Sequence, residues 1–268
     1  MSGIYVSTYC VDFRDYDHLR TIINDLKEYD VGVEFATSWI TADFDDLLEA
    51  QIGRFDDVPV TLHAPFGESC CAPGSEAYTL MERKFQKAFR WYHAFHAGSM
   101  VMHTHKRKVA REEKRSLCAL AESVILNMAH RAREEGISLT VENVGFRNKG
   151  SELYDQTEFI RLFDRLPEEV GALIDTGHAI VNGWDIPLVI RSLGPRIKGL
   201  HLHNNDGNED DHLPLFTPGL ACSPGEMEEI IRSVKDYCPD ADLILEYAPG
   251  THITTELFRR DVERILEL

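Results

Sequence analysis

The chain has 268 residues, of which 43% are hydrophobic, and a formal net charge of −17 at pH 7. This length and composition suit one domain with a large core, whereas the negative charge disfavours a protein that coats nucleic acid. No apolar run reaches the roughly 20 residues of a membrane span, and the first residues lack the basic start and apolar core of a signal peptide, so we expect a cytoplasmic protein.

Eight short segments rich in apolar and β-branched residues are predicted to be strands covered on both faces. In chain order they are GIYVSTY (3–9), VGVEFA (31–36), VPVTLHA (58–64), SMVMHT (99–104), ISLTVEN (137–143), VGALIDT (170–176), IKGLHLH (197–203) and ADLILEY (241–247).

Segments with helical periodicity lie between the strands, and those after the second and sixth strands look short. The longer ones are Asp15–Tyr29, Ser75–His96, Lys108–Glu135, Ser151–Leu166, Pro224–Tyr237 and Thr254–Leu268. Ser223, before Pro224, and Thr254, before an acidic first turn, are predicted to be N-caps.

Strands that alternate with helices, at about 34 residues per unit, predict an α/β fold with a parallel sheet. A closed barrel is favoured over an open sheet, because residues at the ends of nearly all strands meet only in a ring. The prediction is a single (β/α)8 TIM barrel domain over residues 1–268.

Seven of the predicted strands end in a residue able to bind a metal, at intervals of 28 to 43 residues. These residues are Glu34, His63, His103, Glu142, Asp175, His203 and Glu246. An unpaired buried carboxylate costs several kcal/mol, so a cation must meet it. A salt bridge would explain one isolated Glu equally well. For the whole set, a divalent metal is the better counter-charge, because the strand ends contain no Arg or Lys that could pair with the acids. The one exception, Lys198, stands at the start of its strand.

Some of these positions allow two interpretations. Asp175 and His178, in LIDTGHA, both point into one cavity if the chain turns at Thr176-Gly177, but Asp175 could instead cap the following helix. His201 and His203 face the same side of their strand, and the residues alone do not say which is the ligand. His63 and His103 are each typical of core histidines, and only their joint placement favours ligands.

Further side chains on the same rim are candidates for contact with a substrate. Arg147 and Lys149 follow the fifth strand, where contact with a phosphate and a solvated loop are equally good interpretations. Trp184 lies in a loop and offers a ring that could stack on a sugar or base. The predicted substrate-binding residues are His201, Arg147, Lys149 and Trp184.

The ordered motifs VEF, TLHAPF, VMHTH, TVEN, LIDTGHA, GLHLHNNDGNEDDHLPL and LILEY resemble those of the xylose isomerase-like barrel superfamily. This superfamily includes sugar phosphate isomerases and epimerases and the endonuclease IV enzymes, and the resemblance runs from Val31 to Glu246. In the isomerase branch it implies one divalent metal. The ligands implied for it are Glu142, Asp175, His203 and Glu246.

His203 is preferred to His201 because the family places an acid three residues after its histidine, here Asp206. The endonuclease IV branch implies two further zinc ions. The ligands implied for those ions are His63, His103, His178, Asp210 and His212. The substrate contacts of ketohexose epimerases do not transfer, because the Glu that they place six residues after the fifth-strand Glu is Asn148 here.

The resemblance implies an isomerase or epimerase that acts on a sugar or sugar phosphate, with one to three Zn, Mn, Mg or Co ions. Glu142 and Glu246 would be the catalytic residues, which remove and return a carbon-bound proton through a metal-stabilised enediolate. One alternative is an abasic-site phosphodiesterase, for which nucleic acid would be the partner. Another is a non-catalytic barrel that binds a ligand with a metal. We expect no membrane partner, and a homo-oligomer is compatible with such a barrel.

Overall fold

The computed structural model describes residues 3–12, 14–37, 43–65, 69–146, 150–250 and 253–268. Eight parallel strands close into a barrel in chain order, with β1 paired to both β2 and β8. The strands are β1 Ile4–Ser7, β2 Gly32–Ala36, β3 Val60–His63, β4 Met100–His103, β5 Leu139–Glu142, β6 Gly171–Asp175, β7 Ile197–Leu202 and β8 Asp242–Leu245. The predicted (β/α)8 barrel is therefore confirmed.

The described residues form nine α-helices and three short 3-10 helices. The α-helices are α1 Tyr16–Asp25, α2 Phe44–Glu49, α3 Glu76–Ala94, α4 Lys114–Glu134, α5 Gln156–Leu162, α6 Thr176–Asn182, α7 Ile186–Leu193, α8 Pro224–Tyr237 and α9 Thr255–Glu267. The 3-10 helices are Thr8–Cys10, Lys27–Tyr29 and Gly194–Arg196. Ser223 and Thr254 cap α8 and α9 as predicted, each by accepting a backbone hydrogen bond.

Several helices are shorter than their periodicity predicts. The fifth begins at Gln156 instead of Ser151, because Asp155 forms a capping box with Glu158. The segment between β6 and β7 contains two α-helices. Gly183 ends α6 in the left-handed conformation, at φ 71°, and Asp185 caps α7.

Among the described residues, the buried hydrophobic side chains form two clusters. The larger lies between the strands and the surrounding helices, and includes Phe35, Phe89 and Phe258. A small cluster of four side chains from β1, β4, β6 and β8, separate from it, comprises Tyr5, Val101, Leu173 and Ile244. Side chains from several strands fill the inside of a TIM barrel in layers, so this cluster marks an apolar layer of the barrel interior.

No helix in the described ranges has both the length and the apolar composition that crossing a membrane requires.

Candidate metal centre

Three side chains meet where β3, β4 and β5 end: His63, His103 and Glu142, here called the first group. Neighbouring strands bring them together, and His103 stands opposite Glu142 in the register. The two histidine Nε2 atoms are 3.2 Å apart and lie 3.5 and 3.2 Å from Oε2 of Glu142. Nδ1 of His63 donates a hydrogen bond to the carbonyl of Ala64 at 2.8 Å, which leaves its Nε2 lone pair directed at this group.

The inner group lies at the ends of β5 to β8 and consists of Glu142, Asp175, His201, His203 and Glu246. Nδ1 of His201 is 3.3 Å from Oε1 of Glu142 and 3.3 Å from Oε2 of Glu246. Nε2 of His203 is 2.9 Å from Oδ2 of Asp175. Each of the five side chains is more than nine-tenths buried. His201 on β7 and His203 directly after the strand therefore both face the barrel interior, as their spacing predicts.

The outer group consists of His178 on α6 and of Asp210 and His212 in the loop after β7. Nε2 of each histidine is 3.1 Å from Oδ2 of Asp210. The Nδ1 atoms donate to backbone carbonyls, that of His178 to Asn143 and that of His212 to Glu246. Carbonyls fix both tautomers, so both Nε2 lone pairs face the shared carboxylate.

Asp175 serves two purposes at once. Its Oδ1 accepts a hydrogen bond from the backbone N–H of His178 at 2.6 Å and so caps α6. Its Oδ2 faces His203. The two interpretations of the DTGH segment are therefore compatible, because the carboxylate has one oxygen for each.

The three groups form one continuous cluster. Glu142 lies 3.4 Å from His178, which joins the first and inner groups to the outer one, and His203 lies 3.9 Å from Asp210. The rings of His203 and His212 stack with centroids 3.8 Å apart. All nine residues implied by the endonuclease IV resemblance thus lie together. Their assignment as metal ligands stays a prediction.

The electrostatics of the cluster require positive charge. Burial alone raises the pKa of Glu142, but the imidazoles of His103 and His201 overcome it and hold that pKa well below its usual range. Burial opposes charge on His178, yet Asp175 and Asp210 raise its pKa well above the usual value. For His212, Asp210 outweighs burial and raises the pKa to about 9.

Several buried atoms of the cluster accept no hydrogen bond from any described residue. They are both carboxylate oxygens of Glu142, Oδ1 of Asp210 and the Nδ1 atoms of His201 and His203. Leaving such atoms without partners costs about 1–3 kcal/mol each. Oxygen and imidazole nitrogen are the atoms that divalent ions bind, and several triplets of them lie within 4.8 Å of one another. The residues present therefore fit a divalent metal.

The sequence prediction missed the polar side chains that hold the ligand candidates in place. The side-chain amide of Asn143 exchanges two hydrogen bonds with the backbone of Asp175, at 2.8 and 3.0 Å. The hydroxyl of Thr176 donates to the carbonyl of His203 at 2.7 Å. The amide of Asn205 donates to the carbonyl of Gly177 at 2.9 Å. Their signal was an Asn or Thr one or two residues after a ligand candidate, in TVEN, LIDT and HLHNN.

A substitution at Gly177 tests this packing. A Cβ atom at Gly177 would lie 1.9 Å from Cε1 of His203, so we expect Gly177→Ala to displace the imidazole. The variant should bind zinc about 10- to 100-fold more weakly, as measured by competition with a chromophoric chelator. Gly225→Ala is the matched control, because its Cβ meets no atom within 4 Å. Unchanged zinc affinity in a folded Gly177→Ala protein would contradict this account of His203.

A cavity of about 330 Å³ opens beside the outer group and is lined by His103, His178, Asp210, Lys106 and Phe146, among others. This volume lies within the range of small-molecule sites. His105 also lines it, but its Nε2 accepts a hydrogen bond from the backbone of Leu153, and burial lowers its pKa to about 3. We therefore interpret His105 as a structural residue.

The four predicted substrate-binding residues are not all brought together. His201 lies within the inner group and is fully buried. Trp184 is half-buried, packs on Phe159 with ring centroids 5.5 Å apart, and lines a different cavity, of about 560 Å³, next to α7. Arg147 and Lys149 lie outside the described residues.

Structural comparison finds barrels that align over nearly the whole chain at low sequence identity. D-psicose 3-epimerase with D-tagatose from Clostridium cellulolyticum has a TM-score of 0.71 and 12% identity, with 99% of this chain and 97% of that chain covered. Endonuclease IV from Thermus thermophilus has a TM-score of 0.64 and 16% identity, with 99% and 100% covered. Another Thermus thermophilus protein, soaked with ZnCl2, has a TM-score of 0.72 and 18% identity, with 99% and 98% covered.

These likenesses show the fold alone at such identities, and a comparison with curated protein sequences finds no match. The family model for the xylose isomerase-like TIM barrel matches residues 31–265, which include all three groups of the cluster. Since this match covers most of the chain, the protein belongs to the xylose isomerase-like TIM barrel family.

Proposed function

We propose that the protein is a divalent-metal-dependent isomerase or epimerase of a sugar or sugar phosphate. The observation that carries the proposal is the pairing of Glu142 and Glu246. Each has a carboxylate oxygen 3.3 Å from the same nitrogen of His201, so these two oxygens are separated by at most twice that distance. Two carboxylates placed on either side of one substrate carbon are what proton removal and return require.

Glu142, Asp175, His203 and Glu246 would hold the ion that this reaction needs. A bound divalent ion supplies Lewis-acid polarisation of a substrate carbonyl, which lowers the cost of removing a proton from the neighbouring carbon. Zn, Mn, Co and Mg all accept such a set of donors, and the imidazoles outside the inner group favour zinc for any further ions.

Burial, charge and the shape of the neighbouring cavity would prepare the site for this reaction. Burial keeps Glu142 and Glu246 away from bulk water, which strengthens their interactions with substrate charge. The depressed pKa of Glu142 keeps its carboxylate ionised, as a ligand of a divalent ion must be. The cavity beside His103 and Phe146 has the size of a site for a small molecule, which suits a sugar better than a duplex.

A second candidate is a phosphodiesterase of the endonuclease IV type, acting on DNA at abasic sites. It is favoured by the outer group, because His178 and His212 both face Asp210 and would offer a third set of ligands that an isomerase with one ion does not need. The net charge of −17 disfavours it, since duplex binding normally relies on a basic face.

The first experiment detects transfer of a carbon-bound proton. Protein loaded in turn with Zn, Mn, Co and Mg is incubated in D2O with a panel of ketoses, aldoses and their phosphates, and incorporation of deuterium is followed by NMR. We expect exchange at one carbon next to a carbonyl, which chelation abolishes. Absence of exchange across the panel with every ion would contradict the isomerase proposal.

Two further measurements separate the alternatives. Nicking of a duplex with one abasic site would favour the phosphodiesterase. Sugar binding by calorimetry that survives Glu142→Gln, without exchange or nicking, would favour the non-catalytic barrel. Elemental analysis should give one ion per chain for the isomerase and three for the phosphodiesterase, and light scattering would establish whether the protein forms a homo-oligomer.

A further inference from the structure

A buried pair of side chains joins the inner group to β2: His201, a member of that group, contacts Glu34 on β2. Nε2 of His201 is 3.1 Å from Oε1 of Glu34 and 3.2 Å from Oε2, to which it is hydrogen-bonded. Glu34 is 1% exposed and His201 is not exposed at all. A carboxylate only accepts hydrogen bonds, so the proton of this bond is on Nε2.

The other ring nitrogen of His201, Nδ1, faces the carboxylates of the inner group. Nδ1 lies 3.3 Å from oxygens of both Glu142 and Glu246, and 3.8 Å from Oδ2 of Asp175. It has no hydrogen-bond partner within the described part of the chain. Atoms that bind one tetrahedral zinc at about 2.0–2.2 Å are separated by roughly 3.3–3.6 Å. The two spacings of 3.3 Å, to Glu142 and Glu246, therefore match those of atoms that share an ion.

We infer that His201 is a ligand of the innermost ion through Nδ1, in addition to His203, and that Glu34 is the positioning residue that holds the ring in the required tautomer. This inference rests on the metal centre of the proposed function. A carboxylate that accepts the outer N–H of a ligand imidazole fixes its orientation and raises its basicity. His201 would then act on the ion instead of contacting the substrate.

The arrangement has a chemical consequence for the choice of ion. With His201 and His203 both bound, the inner group offers two imidazoles beside its three carboxylates. Nitrogen donors favour zinc and cobalt over magnesium, which prefers oxygen. The innermost position should therefore select zinc or cobalt over magnesium, and this selectivity should depend on His201.

The test measures ion affinity and cobalt absorption rather than activity. The ions are removed, and zinc affinity is determined by competition with a chromophoric chelator for the wild type, Glu34→Gln, His201→Gln and the double variant. We expect Glu34→Gln to weaken binding by about 10- to 100-fold. His201→Gln should weaken it at least as much, and the double variant no further than His201→Gln, because Glu34 acts through His201. The visible absorption of bound Co²⁺ should change in His201→Gln.

A different result is expected if His201 does not bind the ion. If His201 were only a cation that balances the carboxylates, its removal would leave zinc affinity unchanged or raise it, and that result would overturn the inference. Glu34→Gln keeps the size of the side chain and an accepting oxygen, so it decides the question if His201→Gln does not fold. His105→Gln is the control for losing a buried imidazole and should keep wild-type zinc affinity. Failure of the wild type to bind zinc or cobalt, with magnesium or manganese still bound, would overturn this inference alone, whereas failure to bind any of the four ions would contradict the proposed function.

Discussion

Glu142→Gln is expected to abolish most of the activity, with a loss on the order of 10²–10⁴ in kcat, the usual contribution of a positioned general base or acid. Glu142 is the residue common to the first and inner groups, and its oxygens lie within 3.5 Å of four histidines: His63, His103, His178 and His201. The amide offers one neutral acceptor in place of a shared anion. Elemental analysis of the variant should therefore also show fewer bound ions.

Glu152→Gln is the matched control for this substitution. Glu152 is also a buried glutamate, 9% exposed, but it lies outside the three groups. The Glu152→Gln variant should retain the ion content and the deuterium-exchange rate of the wild type. The interpretation of Glu142 would be wrong if its Gln variant, folded by circular dichroism, kept both the wild-type ion content and the wild-type rate.

The strand ends could be predicted from the sequence because the physics that places them is simple. Parallel strands buried on both faces appear as short apolar runs, and their carboxyl ends must converge in a closed barrel. For this reason His63, His103, Glu142, Asp175 and Glu246 could be placed on one rim from their order alone. Asp210 and His212 lie in a loop, and only the family resemblance suggested them.

The sequence could not resolve features that depend on depth or on contacts across the barrel. His201 and His203 share a face, but only the structure shows that His201 lies against Glu34, 167 residues away. Trp184 was predicted on the rim because it lies in a loop. The turn at Gly183, however, directs its ring onto Phe159. Sequence periodicity likewise missed the division between α6 and α7, which a single left-handed residue creates.

Removing the ions is expected to lower the melting temperature, and to lower it more at high pH. At an ion concentration 100 times the dissociation constant, binding stabilises the fold by about 2.7 kcal/mol. For a domain of this size, that corresponds to about 5–10 °C. The measurement is thermal unfolding of chelator-treated and zinc-loaded protein between pH 6 and pH 9.

The direction of the pH effect follows from the histidines. Their pKa values are raised in the ion-free fold, that of His212 to about 9 and those of His178 and His201 well above the usual value. Such groups stabilise the ion-free fold fully below the unfolded pKa of about 6.5, and this stabilisation is lost as the pH rises through the folded pKa. Zinc-loaded protein needs no imidazolium, and its ions no longer compete with protons at high pH.

The difference in melting temperature should therefore grow from pH 6 to pH 9, and His212→Gln should reduce that growth. A difference that stayed constant or shrank would mean that the imidazoles do not carry the compensating charge in the ion-free protein. In that case Glu142, Asp175 and Asp210 would have to be neutralised by protons of their own, and a site that protonates its carboxylates at neutral pH would have little need of a metal.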